Sequence, residues 1–213
     1  MIGFTLAAFS AIFSVVDPVG VVPVFIAMTA ADSREHKRIT ALRASVTMMM
    51  ALAIFAASGV YILRFFGISI GSFRIAGGIL LFLLSVDMLR AQPSRQRTTP
   101  EEEAEGIEKP DVSIFPLAIP MLSGPGSFAT VMMLMTGAHT VFERGIVFLA
   151  IAANAALTFG ILVGATAAEK RLGKTGMNVL HRVMGLLLAA IAVQFVVDGA
   201  RDVLPGIVES LHR

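Results

Sequence analysis

Two short stretches combine groups that can hold a small charged molecule. One is Asp17-Pro18-Val19-Gly20; the other is Ser123-Gly124-Pro125-Gly126-Ser127. Each lies inside a long apolar run, Phe4 to Met28 and Ile114 to Met135. Proline removes a backbone donor and clashes with the turn before it, and glycine lets the chain bend. Both stretches therefore break a helix. In hydrocarbon each freed backbone group costs roughly several kcal/mol unless protein or trapped water satisfies it, so such a break belongs beside a cavity. A half-helix restarting after the break aims its positive dipole end and its first amides at an anion. Those amides are Gly20, Val21 and Val22 in one place and Gly126, Ser127 and Phe128 in the other. The carbonyls that close the preceding halves, near Val15, Val16, Leu122 and Ser123, suit an ammonium group or Na⁺. A small zwitterion fits the pattern, its carboxylate on the amides and its amine on Asp17 or the carbonyls. Ser127 can cap the helix or donate to the ligand, and the small residues Gly20, Gly124 and Gly126 favour a small substrate.

Asp17 is the ionisable group set deepest in any apolar run. A carboxylate there costs roughly 3 kcal/mol on insertion scales, so by default it marks a substrate, ion or proton path. Asp before Pro is also an N-cap for the restarting half-helix. Both readings stand. Gln194, deep in the last apolar run, joins the candidate binding residues, although polar side chains there often bond neighbouring helices. Asn154 and Thr158, one turn apart, read as such interhelical bonds. Arg74 and Arg182 sit near span ends, where a long cationic side chain snorkels to the interface. The histidines His36, His139, His181 and His212 show no metal spacing. No nucleophile elbow, P-loop or HExxH is present, so no enzyme is expected. No cofactor is implied, and a coupling ion would be H⁺ or Na⁺.

The elements that must position these residues are membrane helices. Of the 213 residues, 56% are hydrophobic and 15% charged. A soluble domain averages about 25% charged, and it cannot bury so much apolar surface. Without cysteine there is no disulfide framework and no thiol chemistry. A net charge of +2 gives no reason to expect a nucleic acid as partner. Lipid and a small zwitterion are the expected partners, and a homo-oligomer is compatible with the sequence. Six stretches have about the 20 residues needed to span: Gly3–Ala30, Ile39–Leu63, Phe73–Leu89, Ile114–Thr136, Ile146–Ala168 and Val179–Leu204. The third is short and extends back through Gly67-Ile68-Ser69-Ile70, which makes the turn before it tight. Polar loops are expected at Asp32–Arg38 and Glu169–Lys174, and a polar linker at 92–112. The first segment lacks a basic start, so it reads as a retained span.

The two halves, 1–91 and 113–213, repeat each other weakly. Asp17-Pro18 answers Gly124-Pro125, and Arg74-Ile75-Ala76-Gly77 answers Arg182-Val183-Met184-Gly185. Three spans is an odd number, so the second half enters the membrane upside down. The fold class is all-α: six transmembrane helices as two inverted three-helix repeats, the first helix of each broken. Twelve of the 17 basic residues fall on one side of this arrangement, which makes that side cytoplasmic and puts both termini outside the cell membrane. Gly77-Gly78 and Gly185 allow close helix packing.

Several of these stretches together resemble the MarC family of six-span bacterial and archaeal membrane proteins: Asp17-Pro18-Val19-Gly20 with Pro23, Phe66-Gly67-Ile68-Ser69-Ile70 with Arg74-Ile75-Ala76-Gly77-Gly78, Pro116-Leu117-Ala118-Ile119-Pro120 with Gly124-Pro125-Gly126, and Arg182-Val183-Met184-Gly185 with Val193-Gln194-Phe195. The likeness covers nearly the whole chain. It implies a multipass transporter, since the family includes small neutral amino acid transporters of the SnatA type, for glycine and alanine. Many members carry Asn after the first glycine, where this chain has Val21. Transport of another small solute or a drug, or a non-transport membrane role, are the competing expectations.

Overall fold

The computed structural model describes residues 2–30, 32–90 and 111–211, with the backbone alone at 166–174, 177, 180 and 205–211. Eight helical elements follow in order: α1 (Ile2–Val16), α2 (Pro18–Met28), α3 (Arg34–Phe65), α4 (Ile70–Leu89), α5 (Ser113–Leu122), α6 (Pro125–Gly137), α7 (Val141–Val163) and α8 (Ala165–Leu211). No strand occurs among the described residues. Five stretches are long and apolar enough to cross a bilayer: Ile2–Met28, Arg34–Phe65, Ile70–Leu89, Val141–Val163 and His181–Leu204. The bent pair α5 and α6 makes a sixth if its two parts are one span. Large apolar side chains such as Leu6, Ile54, Ile79, Leu149 and Leu186 face outward. In water that surface would be a liability, and in lipid it is the expected coat.

Both expected breaks are present, and they differ in kind. α1 and α2 continue each other as one 27-residue span, interrupted at Asp17 alone. The second break bends the chain by 58° between α5 and α6. Before that bend α5 is a wide coil with i→i+5 bonds: Leu117 N donates to Val112 O at 3.3 Å and Ser123 N to Ala118 O at 2.9 Å. Its Pro116 and Pro120 cannot donate, and Phe115 and Ile119 just before them are extended, as steric conflict with the proline ring demands.

The loops sit elsewhere than the polarity of the sequence suggests. Ser33 caps α3 by accepting from His36 N at 3.2 Å, so the expected loop Asp32–Arg38 is mostly the first turns of a helix. The fifth and sixth spans are divided at Gly164, and the charged run Glu169–Lys174, expected as a loop, is helical within α8. Hydropathy marks where a helix leaves the bilayer, not where it ends. The tight turn between α3 and α4 is as expected: only Phe66 to Ser69 connect them, with Gly67 at φ 65°. Ser69 then caps α4. The linker expected at 92–112 lies outside the described residues except for Asp111 and Val112. Asp111 is tied back to α3 by Arg43 at 2.7 Å.

Packing pairs the two halves element by element. α4 lies along α8, and α3 along α7. α1 packs on α7 as α5 packs on α3, and α2 packs on α8 as α6 packs on α4. The α4–α8 seam is close because it is lined by glycine: a Cβ on Gly78 would meet Ala192 O at 2.8 Å, and one on Gly185 would meet Ser85 O at 3.2 Å. At one end of the seam Arg74 is paired with Asp202 at 2.7 Å. Arg74, expected to snorkel, has a partner on the facing helix.

Candidate functional site

Asp17 stands at φ 45°, ψ 62°, a left-handed conformation uncommon outside glycine and asparagine. Its amide still bonds Phe13 O at 2.9 Å, so α1 ends normally. Its carboxylate turns forward and accepts from Gly20 N at 3.1 Å, capping α2 behind Pro18. The capping reading of Asp17 is therefore realised. A consequence is that the first break spends its Gly20 amide on its own carboxylate, contrary to the expectation that it lies open to a ligand. Asp17 and Pro18 are buried, and the Asp17 side chain has no exposed surface. Such a carboxylate needs a cationic or donor environment.

The missing partner in the sequence reading is His181. Its Nδ1 lies 3.1 Å from Asp17 Oδ2, close enough for an ion pair but off the line of a hydrogen bond. The ring comes from α8, in the other half of the chain. Gly20 accommodates both groups: a Cβ there would overlap Asp17 Oδ2 and come within 2.8 Å of His181 Cε1. Spacing among histidines could not reveal this pair, because its second member is an aspartate far away in sequence. The available signal was position: His181 stands near the start of the last apolar run, directly before Arg182-Val183-Met184-Gly185.

The second break is built differently. Gly124 occupies the cap position of α6 and has no side chain with which to cap it. Pro125 opens the helix, so the next donors are the amides of Gly126 and Ser127. Ser123 Oγ donates to Ala118 O at 2.6 Å, and Ser127 Oγ to Leu122 O at 3.2 Å. These hydroxyls are buried and hold the irregular α5 to the start of α6. Phe128 stacks on Phe55 of α3, ring centroids 3.9 Å apart, which fixes the direction of α6.

A small cavity of about 20 Å³ opens at this point, lined by Gly124, Pro125, Gly126 and Ser127 and walled by Val15, Leu80, Leu84 and Met121. That is room for about one water-sized guest. Val15 comes from the last turn of α1, two residues before Asp17. A Cβ on Gly126 would lie 3.5 Å from Val15 Cγ1, so the two breaks meet. Asp17 itself is not in the lining. Gln194 is not brought there either; it is exposed on α8 and donates to Asp198 one turn on, at 2.9 Å. Asn154 makes the expected interhelical bond, to Phe9 O of α1 at 3.3 Å. Thr158 does not: its Oγ1 is buried without a hydrogen-bond partner. No cluster of metal-ligating side chains occurs among the described residues.

Fold and site together define a polytopic helical membrane protein with two interrupted helices meeting inside it. The model of the MarC family of integral membrane proteins matches residues 2–204, and the chain belongs to that family. A UPF0056 membrane protein of Methanocaldococcus jannaschii is 40% identical over 201 residues, covering 94% of this chain and 98% of its own length. Similar proteins occur in Bacillus subtilis, 36% identical with 96% and 98% covered, and in Escherichia coli, 35% identical with 93% of each covered. No solved structure gives a significant match.

Proposed function

We propose that this protein is a secondary transporter of small neutral amino acids, of the size of glycine or alanine, working by alternating access across the cell membrane. The observation that carries this reading is the uncapped start of α6 opening on a cavity at the point where both broken helices meet. Free amides and a positive helix end favour a carboxylate. The glycines at 124 and 126 leave space for backbone-sized groups, while Val15, Leu80, Leu84 and Met121 offer a small apolar wall suited to hydrogen or methyl at the α-carbon. The substrate's amine is assigned to carbonyls closing α5, with Asp17 acting from behind Val15.

The exchange of packing partners between the halves supports an inverted repeat of 1–91 and 113–213: α1 on α7 mirrors α5 on α3, and α2 on α8 mirrors α6 on α4. Such a repeat supplies two near-equivalent arrangements, one open to each side. With the basic residues cytoplasmic, both termini are outside. The protein needs no cofactor and performs no chemistry on its substrate; the driving ion is H⁺ or Na⁺.

The test is uptake of labelled glycine and alanine into proteoliposomes containing the purified protein. Saturable uptake that follows an imposed ion gradient is expected. Absence of such uptake across a panel of small amino acids contradicts the proposal, and stabilisation of the folded protein by a different solute redirects it.

A further inference from the structure

Asp17 and His181 both lie outside the lining of the cavity, and His181 has no part in holding the substrate as described; their pairing is nonetheless an unusual ionisable arrangement in the membrane region. We propose that it is the proton-binding site that couples transport to the proton gradient, a reading that rests on the transport function above.

Four observations converge on it. The Asp17 side chain has no exposed surface, whereas that of His181 is 20% exposed. The imidazole thus reaches the protein surface by one edge, while its Nδ1 and the carboxylate beside it are enclosed. The two groups lie 3.1 Å apart, so the charge of one acts directly on the other. They come from opposite halves, Asp17 from the break between α1 and α2, His181 from α8. Loss of the proton leaves a buried carboxylate without its cation, which is costly, so proton release and separation of the halves are linked. Finally, the second break has no equivalent pair. Gly124 stands where the first has Asp17, and Phe73, directly before Arg74, answers His181. The breaks thus divide the work, one holding a proton and the other the substrate, with Val15 joining them.

Among the described side chains, few other charges face the pair. α1 and α2 carry no further ionisable side chain, and on α7 they are confined to Glu143 and Arg144 in the first turn. On α8 the neighbour Arg182 is exposed. Asp87 of α4, and Arg90 just after its end, stand near Met88, which packs against Gly185 one turn from His181.

Two measurements test this. In proteoliposomes, His181→Gln is expected to retain glycine exchange in the absence of a gradient within about threefold, while accumulation driven by an inward proton gradient falls at least tenfold. Unchanged proton-driven accumulation, or loss of exchange as well, overturns the proposal. The second measurement needs no transport. In the ¹⁵N-histidine spectrum of the purified full chain, the signal absent from His181→Gln is expected to titrate with pH, and its midpoint to move in Asp17→Asn. A His181 signal that is flat with pH, or indifferent to Asp17→Asn, also overturns it. If His181 titrates as described but the wild-type chain moves no amino acid, the transport reading fails and the proton site stands alone.

Discussion

Gly20 shows how much one missing methyl can decide. Its empty side-chain space is filled by the Asp17 carboxylate and the His181 ring, so Gly20→Ala must push one of them away. Overpacking of this kind costs about 1–3 kcal/mol. For a chain of this size that lowers the melting temperature by roughly 2–10 °C, measurable by thermal unfolding in detergent. Gly126→Leu acts at the other break. Even a Cβ there comes within 3.1 Å of Leu81, and a leucine side chain fills the cavity. Uptake should fall to background while the protein still inserts and purifies; normal uptake would show that the cavity is not used. Much of this was legible at the residue level. Asp17 declared itself by the cost of a carboxylate in an apolar run, and both Pro/Gly motifs by the backbone groups they free. His181 did not, because a histidine at the start of a span looks like any interfacial residue until the facing helix is known. Gln194 misled for the converse reason: apolar neighbours in sequence do not say whether a side chain faces the interior or the lipid.

At the scale of the element, helix ends are anchored by local chemistry that can be removed one group at a time. Thr140 and Glu143 form a capping box at the start of α7: Glu143 N donates to Thr140 Oγ1 at 3.1 Å and Thr140 N to Glu143 Oε2 at 3.0 Å. Thr140→Ala should cost about 1 kcal/mol, read as a lower melting temperature with no change in substrate affinity. Asp111 holds the start of α5. Hydrogen bonds from the Ser113 hydroxyl and amide, then Arg43, keep its carboxyl below the usual value of 3.8. A carboxyl lowered in the folded state stabilises it above the ordinary carboxylate range, and that contribution disappears as pH falls through the lowered value. The stability difference between wild type and Asp111→Asn should therefore be full at pH 7 and shrink as the pH drops below about 4. A difference that grows on acidification would contradict this assignment. The sequence made the broken character of α5 readable, through Pro116 and Pro120, but not the width of its coil, which depends on how the carbonyls of Ala118 and Leu122 find donors in Ser123 and Ser127. It also hid the start of α8, since a charged run outside an apolar span can be helix or loop with the same hydropathy.

For the molecule as a whole, the seam between α4 and α8 joins the two halves, and Arg74 with Asp202 closes one end of it. The Arg74 side chain is 18% exposed and that of Asp202 42%, so solvent screens part of their attraction. A double-mutant cycle with Arg74→Ala and Asp202→Ala should give a coupling of about 0.5–1 kcal/mol; zero coupling would make the pair incidental. The membrane class was legible from composition alone. Which helices pair could not be read, because glycines at 71, 78, 185 and 199 announce close contact without naming the partner. The central claim is that the meeting point of the two breaks is the substrate's seat. Because the chain has no cysteine, Ser127→Cys places a single thiol there. Its rate of modification by a small membrane-impermeant thiol reagent, measured in oriented vesicles from either side, tests the claim most directly. Modification from both sides, slowed by saturating glycine or alanine and unaffected by large amino acids, is the predicted result. A thiol that reacts from neither side, or at a rate no small amino acid alters, would contradict it.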